Sequence, residues 1–74
     1  MNQEQLIDAA VTEDFMSPYR LAQIESDLRD LTVRPQKLYG YIRAGYLVAT
    51  RNSTGKLQVS RDSAVTYLRK QVKN

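Results

Sequence analysis

The chain has 74 residues, with eleven Lys or Arg against eight Asp or Glu, for a net charge of +3, and it contains no cysteine and no histidine. Those absences exclude disulfide frameworks, zinc fingers, thiol nucleophiles and the commonest general base. A chain this short buries only about 60% of its unfolded surface, so it builds a thin core with little room for a deep substrate cavity.

Charge is distributed unevenly along the chain. Residues 1–30 carry seven acids against Arg20 and Arg29, a balance of −5, while residues 31–74 carry nine Lys or Arg against Asp62 alone, a balance of +8. A basic surface of this kind on a small domain points to nucleic acid. No apolar run reaches the ~18 residues that cross a bilayer. The opening Met1-Asn2-Gln3-Glu4-Gln5 lacks the pattern of a secretory signal. The expectation is a cytoplasmic protein without membrane contact.

Residues 1–16 place Leu6, Ile7, Ala9, Ala10, Val11, Phe15 and Met16 among acids with no convincing cap. They read as an acidic N-terminal arm or weak helix, its acids either a plain solvated face or a surface for partner binding or self-association. A second unit, residues 17–74, holds the regular elements. Ser17 can cap a helix and Pro18 suits its first position. Leu21, Ile24, Leu28 and Leu31 then form an inward stripe that predicts a helix over about 18–30. Glu25, Asp27 and Asp30 read as charges on a helix face with no cavity around them.

Pro35 makes Arg34 a boundary, because the residue before proline is pushed out of the helical region. A second helix follows, with Leu38, Tyr41 and Ile42 inward and Gln36, Lys37, Tyr39, Gly40 and Arg43 outward. Gly45 ends it as a left-handed cap. Two helices joined by a short turn have the layout of a helix-turn-helix. The stretches 46–50 and 56–59 predict a hairpin whose loop, Arg51-Asn52-Ser53-Thr54-Gly55, uses Gly55 for positive φ. Ser60 caps a last helix that buries Ala64, Val65, Leu68 and Val72 and ends in Arg69, Lys70 and Lys73. The fold class is mainly α with a small β-hairpin.

The run Val33-Arg34-Pro35-Gln36-Lys37-Leu38-Tyr39-Gly40-Tyr41-Ile42-Arg43-Ala44-Gly45-Tyr46-Leu47 resembles the recognition helix of the MerR and phage excisionase superfamily. The resemblance covers about residues 17–72, including the closing strand and helix from Gln58 to Leu68. It implies a winged helix-turn-helix with Val33, Leu38, Tyr41, Ile42 and Leu47 in the core and Gly45 opening the wing. Members of that family often carry two basic residues where this chain has Tyr39 and Gly40. The link Ser26 to Thr32 is also longer than usual, and the expectation is a stand-alone module without the effector domain or coiled coil of the sensing members.

The resemblance implies a small sequence-specific binder of double-stranded DNA, bacterial or phage-encoded. It would serve as an excisionase (a recombination directionality factor) or a transcription regulator. Candidate DNA contacts on the second helix are Arg34, Gln36, Lys37, Tyr39, Gly40 and Arg43. On the wing they are Arg51, Asn52, Ser53 and Lys56. Gln36 suits adenine and Arg34 or Arg43 guanine, while Lys37 and Tyr39 suit phosphates. Further partners would be neighbouring copies on DNA, an integrase or another protein. The competing reading is a protein-interaction module on the same scaffold that does not bind DNA. No phosphate loop, metal cluster or activated nucleophile is present, so neither an enzyme nor a cofactor is expected.

Overall fold

The computed structural model describes residues 2–72, so Lys73, counted above among the terminal cations, lies outside them. Four helices and three short strands follow in the order α1 (Gln3–Ala10), β1 (Phe15–Met16), α2 (Pro18–Arg29), α3 (Pro35–Ala44), β2 (Ala49–Arg51), β3 (Leu57–Ser60) and α4 (Arg61–Gln71). The protein is mainly helical, with one small antiparallel sheet in the order β1-β3-β2.

Residues 2–16, read as an acidic arm or weak helix, form a helix and a short strand packed against the later elements. Asn2 closes a capping box: its side chain accepts from Gln5 N–H at 2.9 Å, and the Gln5 side chain accepts from Asn2 N–H at 3.1 Å. Helix α1 is thereby started by an exchange of two bonds. Its inward residue Ile7, with Val11 after it, lies in the core at 1% exposure each. The chain then pairs Phe15 with Ser60 and Met16 with Val59, adding a third strand to the expected hairpin. Arg61 N–H donates to the Asp14 carbonyl at 2.8 Å, joining this segment to the start of α4.

Ser17 caps α2 by accepting from Arg20 N–H, and Pro18 occupies the first turn. The helix stops at Asp30, whose φ of +53° is left-handed. Leu31 therefore falls beyond the helix and is 47% exposed rather than part of the inward stripe. The link to α3 is secured by Ser26, whose hydroxyl accepts from Val33 N–H at 2.9 Å and donates to the Ala22 carbonyl at 2.7 Å. Val33 is thereby drawn into the core.

Helix α3 begins at Pro35 and ends at Gly45, which adopts φ +87°. Tyr46 and Leu47 N–H both donate back to the Tyr41 carbonyl. That reversal sends the chain into β2, which starts at Ala49, three residues later than the expected strand. Strand β2 pairs with β3 through Ala49–Val59, Thr50–Gln58 and Arg51–Leu57. Ser60 accepts from Ser63 N–H and caps α4.

The core unites Ile7, Val11 and Met16 with Leu21, Ile24, Leu38, Leu47, Val59, Ala64, Leu68 and neighbours from every helix. Ile7 is enclosed in the core, so Ile7→Ala removes buried volume where little is available. A loss of about 3 kcal/mol is expected, visible as a large fall in the thermal midpoint followed by circular dichroism. A midpoint unchanged by the substitution would return residues 1–16 to the status of an arm.

Candidate nucleic-acid interface

Helix α3 divides its side chains by the 3.6-residue period. Leu38 is fully buried and Tyr41 and Ile42 are half-buried against the core, while Gln36, Gly40 and Arg43 are exposed on the opposite face. Arg34, at the cap position, is also exposed, and its side chain makes no capping bond. Among the described residues, Gly40 has no neighbour within 4 Å of the place a Cβ would occupy, so the helix backbone is open at that point.

Tyr39 is half-buried because its ring stands edge-on to Tyr19 of α2, with centroids 6.2 Å apart. Tyr19 was not among the expected site residues. Its position on the first turn of α2, beside the outward face of α3, becomes visible only in three dimensions.

Lys37 departs most from the outward placement read from the sequence. Its ammonium turns inward and donates to Glu25 Oε2 at 2.7 Å and to Gln71 Oε1 at 3.1 Å. It also lies 5.6 Å and 5.8 Å from the ring centroids of Tyr41 and Tyr67. Glu25, read as one charge on a solvated helix face, is in fact fully enclosed at 0% exposure. Its Oε2 also accepts from Arg29 Nη1 at 2.7 Å, and its Oε1 accepts from the Tyr67 hydroxyl at 2.5 Å.

Burial acts most strongly on the Glu25 carboxyl and would raise its pKa. Hydrogen bonds from Lys37, Tyr67 and Arg29, with the attraction of Lys37, outweigh it and hold the pKa below the ordinary 4.5. Burial first, then the bond to Glu25 and the carboxylate's charge, push Tyr67 well above the ordinary 10. Tyr67 is therefore a donor throughout the physiological range.

The hairpin carries Arg51, Asn52, Ser53 and Lys56, all exposed. Its tip is ordered by its own side chains. Asn52 Oδ1 accepts from Thr54 N–H at 2.9 Å, the Thr54 hydroxyl at 2.7 Å and Lys56 N–H at 3.1 Å. Arg51 Nη1 donates to the Gly55 carbonyl at 2.7 Å, and Gly55 takes φ +82°. Asn52 oxygen is thus committed to the turn, whereas the Ser53 and Lys56 side chains have no partner among the described residues.

Between α3 and α4 lies an open groove of about 780 Å³. Its walls include Gln36, Gly40, Tyr41, Tyr46, Thr66 and Lys70. Tyr46 is 76% exposed and Val48 is 65% exposed at the mouth of the hairpin. Tyr46 leans on Tyr41, with ring centroids 5.9 Å apart.

Among the described residues, no cluster of Asp or Glu could hold a metal ion. None of their helices is long and apolar enough to cross a membrane. Searches of protein-family models, curated proteins and solved structures found no match for this chain.

Because Glu25 has a lowered folded-state pKa, its contribution to stability is full above the unfolded value near 4.5 and is lost as pH falls through the folded value. Glu25→Gln should cost about 2 kcal/mol at neutral pH. It should also flatten the loss of stability below pH 4.5. Urea denaturation of both proteins across pH 3–7 measures this, and equal acid sensitivity would remove Glu25 as its source.

Proposed function

We propose that this chain is a winged helix-turn-helix protein that binds double-stranded DNA by sequence, with α2 and α3 as the helix pair and the β2–β3 hairpin as the wing. The observation that carries the reading is the outward face of α3, where Arg34, Gln36 and Arg43 are exposed around the open space at Gly40. Among the described residues, no atom lies within 4 Å of the place a Cβ would take there, so a duplex can approach the helix backbone.

Helix α3 enters the major groove with its N-terminal turn nearest the base edges. Gln36 can offer its amide to adenine, and Arg34 or Arg43 a guanidinium to guanine. The Tyr39 hydroxyl suits a phosphate and sets register. Arg51, Ser53 and Lys56 follow the backbone at the wing, with Asn52 shaping its tip. Lys37 contributes charge near the surface but does not reach out, since Glu25 and Gln71 hold it.

A module this small buries on the order of 600–1,000 Å² on DNA. A few phosphate contacts give it loose non-specific binding with strong salt dependence. Useful occupancy then comes from several copies on adjacent sites. That behaviour fits an excisionase shaping DNA for recombination, or a small transcription regulator.

A protein-interaction module is the second reading, and the groove beside α3 favours it. Tyr46 and Val48 are large apolar groups exposed at the groove's edge, as at many protein contacts. Binding to a protein partner there would depend little on salt.

Replacing Arg34 and Arg43 together by Ala should lower affinity, most for the preferred duplex, and reduce the log–log salt slope by about 1 for each of the two that meets a phosphate. Fluorescence anisotropy at a series of salt concentrations reads both quantities; affinity and slope both unchanged would defeat the DNA reading. Position 40 gives an independent check. Gly40→Ala should stabilise α3 by about 0.5–1 kcal/mol, since the helix gains a better former and no clash. Gly40→Glu should fold equally well yet lose DNA binding, by bulk and charge over the open face.

A further inference from the structure

We infer that Glu25 is a positioning residue for DNA recognition: through Lys37 and Tyr67 it sets the roll and depth of α3 relative to α2 and α4. The inference rests on the DNA-binding reading above and names a residue that would never touch the duplex.

The geometry comes first. One carboxylate joins three helices. Oε2 takes Arg29 of α2 and Lys37 of α3, and Oε1 takes Tyr67 of α4. Lys37 then reaches Gln71 of α4, closing the circuit on the far side. Among the described residues, no buried side-chain oxygen or nitrogen in the protein lacks a partner. The network is thus complete, with little slack for an alternative arrangement.

Directionality comes next. The rest of the inward face of α3 is Leu38, Tyr41 and Ile42. Apolar contacts of that kind are non-directional and tolerate a helix that slides or rolls by a fraction of a turn. Charge-assisted hydrogen bonds are short and angular, and they do not. Lys37 sits one residue after Gln36 and three after Arg34, on the first turn that would face the bases. Each residue advances 100° around the helix, so an anchor at Lys37 sets where Gln36 and Gly40 point. Bidentate pairing with a base edge is lost when the helix shifts by about 1 Å.

A buried ion network is a poor way to gain stability, because apolar residues of similar volume do as well or better. Its distinctive contribution here is orientation. The charge argument also separates this role from a simpler one. If Glu25 served only to neutralise basic side chains, removing its charge would free Arg29 and Lys37 and tighten binding to any duplex. Positioning demands a selective loss instead.

The test uses the full chain and a pool of random-sequence duplexes. The unaltered protein enriches its preferred duplex, and a scrambled duplex of equal length serves as reference. Affinities for both are then measured for the unaltered protein, Glu25→Gln and Tyr67→Phe. The expected result is a fall of at least tenfold in the preferred-to-scrambled ratio for Glu25→Gln, with scrambled binding equal or tighter. Tyr67→Phe, which changes no charge, should lower the ratio severalfold and carries the test if Glu25→Gln does not fold. Ratios unchanged in folded variants, or equal losses on both duplexes, would overturn the inference and leave the DNA reading intact. Failure of the unaltered protein to enrich any duplex would overturn both.

Discussion

The structure turns on a carboxylate that has no contact with water. Glu25 sits at the meeting point of three helices, where an ionised group survives only if its oxygens are fully bonded. Arg29, Lys37 and Tyr67 supply those bonds. They keep the carboxyl ionised against the opposing effect of burial. The requirement runs both ways. A buried Glu25 obliges α3 to present Lys37 inward and α4 to present Tyr67, and so constrains the packing of elements far apart in the chain.

This constraint divides the basic side chains into two groups. Arg29 and Lys37 serve Glu25, Arg20 pairs with Glu13 at 3.4 Å, and Arg61 lies 4.0 Å from Asp8. Arg61 also donates to the Val11 carbonyl, so it fastens the N-terminal segment as much as it balances charge. Arg34, Arg43, Arg51, Lys56, Arg69 and Lys70 make no ion pair among the described residues. The positive potential available to an anionic partner comes from this second group, which is smaller than the raw count of the basic half suggests. Exposed pairs such as Arg20–Glu13 contribute little to stability in any case.

Much of the helical frame was legible from local chemistry. Ser17-Pro18, Pro35, Gly45, Gly55 and Ser60 each mark a boundary through a backbone or capping preference, and each stands at the expected place. Long-range pairing was less visible. Strand β1 is two residues long, and nothing in Phe15-Met16 signals a partner near Ser60. The Asn2 cap went unread because it stands directly after Met1, and without it the first helix looked weak. Glu25 is the sharpest case. Its spacing from Leu21 and Leu28 places it on the inward stripe, but a carboxylate there looks like solvated surface until Lys37 and Tyr67 are seen beside it. For the candidate interface, the outward set on α3 was legible except for Lys37, which reaches across to Glu25 and Gln71, and Tyr39, half-buried beside Tyr19. Tyr19 was missed because it belongs to another helix.

The order of the sheet has a consequence for how the protein comes into being. Strand β3 lies between β1 and β2, and Arg61 reaches back fifty residues to Val11. Strand β1 thus finds its partner, and α1 the larger part of its packing, only in the last quarter of these residues. On a ribosome, Ile7, Val11 and Met16 would be translated well before β3 and α4, which complete their burial. Loops closed over such distances slow folding relative to a plain helical bundle of this size. The acids interspersed among those apolar residues would help keep the unfinished chain in solution meanwhile.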